Sequence, residues 1–426
     1  MLNSYLRKYG IRPALFDTFP SENLGIAVVI PACNEIDIHQ SLSSLYNCKR
    51  PDCAVEVIVI VNASESAGAE IVAQNCKTYR ACKSWEAHND DSFRVFVHME
   101  NDMPKKHAGV GLARKMGMDE AVRRFELIRN KNGVIVCFDA DSQCEGNYLE
   151  EIYAHFRINP DTPGCSIQFK HPTFGGEFSS KNYLGITYYE LHLRYYNQAL
   201  RATGFPHAFH TVGSSMAVRS IAYQKQGGMN RRQAGEDFYF LHKIIGLGNF
   251  TELNTTYVIP SPRPSDRVPF GTGKAINDYL KSPNKIYYSY NLNAFKYLKI
   301  FFKNIPEFYI NTPSLVTLGG VIPYVMIDFL NAYFFDERME EIKRNSSGFN
   351  SFEKRFYRWF NAFMVLKFVH FVRDNAHPNV NVERAAFDLL REMDYDGINE
   401  VRSLSDLLEV YRELDRKGKP TFVSFK

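Results

Sequence analysis

The chain contains no Cys-x-x-Cys pair, no large charge excess, no unbroken apolar run of membrane-spanning length and no internal repeat. Each absence removes a class. Its eight cysteines all lie between Cys33 and Cys165. Cys48 with Cys53, or Cys76 with Cys82, stay open as metal or disulfide pairs, and reduced thiols in a cytosolic protein are the expectation. With 51 basic and 47 acidic residues, the net charge of +4 gives no support for bulk nucleic-acid binding. Local basic patches still count, because an anionic ligand meets a patch and not an average. Met1 to Pro20 lacks the apolar core of a signal peptide. The most membrane-like stretch, 315–335, is interrupted by Pro323, Asp328 and Asn331 and reads as a buried helix pair. The expected location is therefore cytoplasmic, with membrane contact peripheral at most.

What is present is ordinary globular material: 426 residues, 45% hydrophobic and 23% charged. That length holds two domains, or one large domain with an extension. Ile26–Ile30, Val55–Val61, Val95–His98 and the run ending at Asp139 read as strands. Helical spacing appears at Ile38, Leu42, Leu45 and Tyr46, and again over 110–128. This alternation implies a largely parallel sheet with helices on both faces, whose ligands sit beyond the carboxyl ends of the strands. Asn34, Glu35, Asn62 and Asp139 all fall at such ends. Further on, 148–156, 182–200 and 237–245 read as helices, and 165–169 and 211–218 as strands. The stretch 260–273, PSPRPSDRVPFGTG, marks a boundary or a lid. Helices are expected at 352–372, 382–393 and 404–414. The division is a lead segment at 1–24, a sheet domain at 25–260, a loop at 261–273 and a mostly helical extension at 274–426.

The chemistry concentrates in acids. The run Val134-Ile135-Val136-Cys137-Phe138 delivers Asp139-Ala140-Asp141 to a strand's carboxyl end. Carboxylates suit a hard divalent cation, and alternate residues face the same side. A second pair, Glu236-Asp237, opens a predicted helix. One acid cluster to hold metal and diphosphate, plus one acid to take a proton, suits group transfer from a nucleotide donor. Read alone, Asp-Ala-Asp also fits a polar turn, and Glu236-Asp237 a helix cap. Lys105, Lys106, Arg114 and Lys115 form a basic cluster, phosphate-facing or solvated, with Arg114 favoured for phosphate. Tyr188, Tyr189, Tyr195 and Tyr196 fit an acceptor platform or core packing, and the second fits better. His171, His207 and His210 flank that region.

The ordered set Pro31-Ala32-Cys33-Asn34-Glu35, Gly109 to Lys115, Phe138 to Asp141, Gly213 to Arg219, Gly227-Gly228 and Gly235-Glu236-Asp237 resembles glycosyltransferase family 2, of the GT-A fold. The resemblance runs from about Gly25 to Ile259. It implies a UDP-, GDP- or dTDP-linked sugar donor, Mn2+ or Mg2+, and hexosyl transfer with inversion to a carbohydrate or lipid-linked hydroxyl. Asp141 would be the principal metal ligand with Asp139 beside it, Asp237 the general base and Glu236 its neighbour. The donor set is Pro31, Ala32, Asn34, Glu35, Asn62, Arg114, Asp139 and Arg267. In one departure, Val61-Asn62-Ala63-Ser64 stands where members often carry two acids and a serine, leaving the donor base open. The Gln-x-x-Arg-Trp motif of processive synthases is absent after Asp237, which argues against a polymerising enzyme.

Three other readings compete with this one. A haloacid-dehalogenase-type phosphatase also uses a strand ending in Asp-x-Asp, but there the motif opens the fold. A nucleotidyltransferase wants a basic glycine-rich loop after its first strand. A nucleotide-sugar-binding module without turnover would not need Asp139, Asp141 and Asp237 together.

Overall fold

The computed structural model describes residues 3–11, 13–233, 235–266, 271–311, 314–315 and 317–418. It resolves into two compact units: Met1–Tyr183 with Thr211–Asn277, and Leu184–His210 with Asp278–Lys426. The sequence reading kept 184–210 with the sheet domain; here those residues group with the C-terminal ones.

In the first unit, strands β1 (Leu24–Ala32) and β2 (Ala54–Ser64) are buried throughout except at Gly25 and Ser64. Strands covered on both faces call for a mostly apolar run, which these segments supply, with Glu56 the one charge. β3 (Phe93–Met103) pairs in parallel with β2, and β4 (Val134–Cys137) in parallel with β1. Beyond β4 the sheet turns mixed. β5 is Gln143–Cys144, β6 Gly164–Phe169, β7 Met216–Arg219 and β8 Thr251–Ile259. The strand order is β3-β2-β1-β4-β7-β6-β8-β5. β7 runs antiparallel to both β4 and β6, β8 parallel to β6, and β5 antiparallel to β8.

The helices of this unit are α1 (Ser4–Tyr9), α2 (His39–Tyr46), α3 (Ala69–Trp85), α4 (Val110–Leu127), α5 (Tyr148–Ile158), the start of α6 (Ser180–Ala202), α7 (Ser220–Lys225) and α8 (Glu236–Ile245). Alternation along β1 serves both faces. Ile26, Val28 and Ile30 pack with Leu42, Leu45, Leu149 and Ile152 from α2 and α5. On the other face α4 lies so close that a Cβ on Gly117 would meet Val29 Cγ1 at 2.5 Å. The mostly parallel sheet with helices is the expected α/β, GT-A-type fold class, and the helical C-terminal region is present too.

α4 is buried from Gly111 to Phe125, charges included. Lys115 is thus not on a solvated face: its Nζ donates to Asp119 Oδ2 (3.0 Å) and to the Tyr5 hydroxyl (3.0 Å). Arg124 pairs with Glu56 without exposure of either side chain. Lys105 and Lys106 are exposed.

The second unit is helical and rich in phenylalanine, with Phe301 and Phe360 rings 4.9 Å apart. The expected helix at 352–372 is two, Phe349–Trp359 and Ala362–Asn375. The Asn361 side chain accepts from the N–H groups of Phe363 and Met364 and starts the second afresh. In the expected pair at 315–335, the described residues give one helix, Tyr324–Asn331, capped by Pro323. No helix among the described residues is long and apolar enough to cross a membrane. A buried ionic network ties α6 to the helix Leu404–Arg416. Arg412 holds Glu190 at 2.7 and 2.9 Å, and Asp415 pairs with Arg194, Gln198 (2.6 Å) and His210 (2.9 Å). The tyrosines serve this packing: Tyr195 donates to the Tyr290 carbonyl (2.8 Å) and Tyr188 to Glu383 (3.0 Å).

Candidate active site

β1, β2 and β4 end on one side of the sheet. Where β1 runs out, Asn34 takes a left-handed φ of 51°, uncommon for a residue with a side chain. Its N–H donates to Asn75 Oδ1 (2.9 Å), and Asn75 Nδ2 donates to the Asn62 carbonyl (3.0 Å) and to Asn101 Oδ1 (3.1 Å). One buried amide on α3 therefore ties together the ends of β1, β2 and β3. Pro31 and Ala32 are buried strand residues opposite Ile60 and Val61.

Glu35 is buried, and its backbone carbonyl accepts from Gln74 (2.7 Å) and Thr78 (2.8 Å). Its carboxylate takes both arms of Arg263, each at 2.8 Å, and Arg263 Nη2 also reaches Asp141 Oδ2 at 2.8 Å. Sequence reasoning chose Arg267 from this loop; that residue lies outside the described residues. Arg263 and Asn75 were both missed. The only signal for them was a basic residue in a proline-rich loop and a polar residue on a helix's inner side.

Asp139 and Asp141 follow β4 and are partly exposed. The turn that carries them is pinned to α2, since Ser41 Oγ donates to the carbonyls of Ala140 (2.6 Å) and Ser142 (2.8 Å).

Arg114, expected to face phosphate, is buried, and its fork goes to two acids instead. Nη2 donates to Asp139 Oδ1 (2.5 Å) and Nη1 to Glu236. Only glycine fits beside it: a Cβ on Gly213 would stand 2.3 Å from Nη1. Glu236 and Asp237 open α8 after Gly235, whose φ is +68°. A left-handed residue there suits glycine and aims both acids back toward α4. Burial pushes the Glu236 carboxyl up to about 7 against the pull of Arg114. Burial likewise raises Asp237, opposed by Arg114 and by the Phe238 N–H that donates to it (2.7 Å). Arg114 itself is disfavoured by burial but held firmly charged by Asp139 and Glu236. The two directions agree: one guanidinium is shared among three carboxylates and cannot satisfy all of them.

Among the described residues, no three His, Cys, Asp or Glu side chains form a metal-holding group. Asp139 and Asp141 are the residues that would hold a divalent cation. Two partly exposed carboxylates fit Mn2+ or Mg2+, which complete their shells with phosphate oxygens and water. Arg263 holds one oxygen of Asp141, so a cation there competes with it.

Residues 27–227 match the family model described as Glycosyl transferase family 2. This is a family 2 glycosyltransferase domain. The match ends before Glu236 and Asp237, whose place in the site therefore rests on the Arg114 geometry. Membership sets aside the phosphatase reading. Among solved structures, the chain is similar to S. aureus TarS 1-349 in complex with UDP-GlcNAc, at 14% identity over 94% of this chain and 93% of that one, TM-score 0.38. It is also similar to the mannosyltransferase PcManGT from Pyrobaculum calidifontis in complex with GDP-Man and Mn2+, at 13% identity over 97% and 93%, TM-score 0.34. Superposition this loose assigns no residue its role. No curated protein matches the chain.

Proposed function

We propose that the chain is a metal-dependent, inverting glycosyltransferase that moves a hexosyl group from a nucleoside-diphosphate sugar to an acceptor hydroxyl. One observation supports this above the others: Arg114 joins Asp139, at the diphosphate end of the crevice, to Glu236, the neighbour of Asp237. Asp139 and the adjacent pair Glu236-Asp237, distant from it in sequence, are thereby linked through one guanidinium. The nucleoside lies along Asn34, Glu35 and Asn62, over the floor that Pro31 and Ala32 end. Asp139 and Asp141 would hold Mn2+ or Mg2+, which would supply countercharge to a departing diphosphate.

Asp237 takes the proton from the acceptor hydroxyl as its oxygen attacks the anomeric carbon from the side opposite the leaving group. Burial raises this carboxyl and makes it a better base than a solvated aspartate. Glu236 and Arg114 hold the first turn of α8 in place. Arg263 leaves Asp141 when the donor arrives. The acceptor is a carbohydrate or lipid-linked alcohol, and the enzyme works in the cytoplasm. A thermal-shift screen of UDP-, GDP- and dTDP-sugars with Mn2+ tests the reading. One nucleotide class should raise the melting temperature in step with its concentration, and Asp141→Ala should abolish the rise. No stabilisation by any of the three, with or without Mn2+, would contradict it.

A further inference from the structure

Cys48 and Cys144 are far apart in sequence, yet their sulfurs lie 3.5 Å apart in the first unit. Neither short-range cysteine pair considered from the sequence is the close one. Cys48 follows α2 and is buried; Cys144 lies in β5, three residues after Asp141, and is partly exposed. We propose that Cys48 and Cys144 form a peroxide-reactive dithiol, whose closure to a disulfide alters the turn carrying Asp139 and Asp141.

The surroundings favour a thiolate on one sulfur and a thiol on the other. Either sulfur can donate to the other, and Cys48 Sγ also reaches the carbonyls of Ser44 (3.3 Å) and Glu145 (3.5 Å). The contact with Cys144 and, against burial, the backbone at Leu149 and Tyr148 and Arg50 nearby favour the Cys48 thiolate. Together they hold Cys48 below its ordinary value. Cys144 is raised in turn, first by that same hydrogen bond and then by burial. A low-pKa sulfur beside a resolving partner is the arrangement of redox-responsive cysteines. Cys53 shows the contrast: burial pushes its thiol up to about 12.

The chemistry balances with hydrogen peroxide as oxidant. The Cys48 thiolate attacks one peroxide oxygen; the S–O bond forms, the O–O bond breaks, and the departing hydroxide takes a proton to become water. The Cys144 sulfur then attacks the Cys48 sulfur. The S–S bond forms, the S–O bond breaks, and the second hydroxide leaves as water with the Cys144 proton. Two thiols lose two electrons, and the peroxide is reduced to two waters.

Closure draws the sulfurs about 1.5 Å nearer, from 3.5 Å to the length of a disulfide. The segments it would pull are already stitched to the donor side. Ser44 Oγ accepts from the Cys144 N–H (2.8 Å), and Ser41 on the same helix holds the Ala140 and Ser142 carbonyls. Cys144 also pairs with Val258 on β8, the strand that leads into the loop of Arg263. The bond itself does not depend on the proposed function; only the site where its effect is read does.

The test treats the full chain with hydrogen peroxide and maps its peptides without reduction. A Cys48–Cys144 linked peptide is expected, removed by dithiothreitol, lost in Cys48→Ser and in Cys144→Ser, and retained in Cys53→Ala. Oxidation should also weaken nucleotide-sugar binding several-fold, with dithiothreitol restoring it and Cys144→Ser insensitive. Absence of the linked peptide would overturn the dithiol, and a linked peptide with unchanged nucleotide affinity would overturn its effect on the turn. If the reduced chain binds no nucleotide, the glycosyltransferase reading fails, while the peptide map still decides the dithiol.

Discussion

Arg263 Nη2 lies 2.8 Å from Asp141 Oδ2 while its two arms grip Glu35. A cation and an arginine therefore compete for one carboxylate oxygen. Arg263→Met should bind Mn2+ several-fold more tightly than the parent in the absence of nucleotide, as read by calorimetry. It should also lose about 1–3 kcal/mol of stability, because Glu35 is left buried without its partner. Unchanged Mn2+ affinity would show that the arginine does not guard the site.

Arg114 is the more deeply placed cation. Removing it leaves Glu236 buried and Asp139 unpaired, and breaking a buried ion pair costs about 3–5 kcal/mol. Arg114→Met should show that loss in urea denaturation. Gly213→Ala should be destabilising too, since the new methyl meets Arg114 Nη1. It should depress glycosyl transfer more than donor binding, because the displaced guanidinium carries Glu236 with it.

Acid should weaken the second unit in two ways. Burial raises the Asp415 carboxyl, but His210 and Arg194 more than reverse that and hold it below the usual carboxylate range. A depressed acid contributes stability above its unfolded pKa, near 3.9, which is lost as pH falls below it. Burial pushes His192 down to about 4. The unfolded chain protonates this histidine first, so stability also falls between about pH 6.5 and pH 4. Urea midpoints should decline in both windows, and His192→Phe should shrink the upper decline, which His370, also lowered by burial, shares.

The sheet was legible where strands are buried on both faces, as β1, β2 and β4 are, because such strands are mostly apolar; the one buried charge in β2, Glu56, is paired with Arg124. α3 was not foreseen. Its inner side is Asn75, Thr78 and Cys82, so no apolar period marks it. β8 was missed for a similar reason: Thr251–Ile259 mixes polar and partly exposed residues. Among the site residues, strand ends and the acid pairs stood out by type and position. The partners that organise them did not. Arg263 reaches Glu35 across most of the first unit's sequence, and a buried arginine such as Arg114 reads like any other basic residue until its acids are located.

Asp237→Asn gives the most direct measurement. The amide keeps the size of the side chain and its acceptor oxygen for the Phe238 N–H (2.7 Å), but it cannot take a proton. Donor affinity, measured by calorimetry with Mn2+, should stay within about twofold, while the transfer rate falls by roughly 10²–10⁴. Transfer at the parent rate, or loss of donor binding, would contradict the placement of Asp237 as the base beside Asp139 and Asp141.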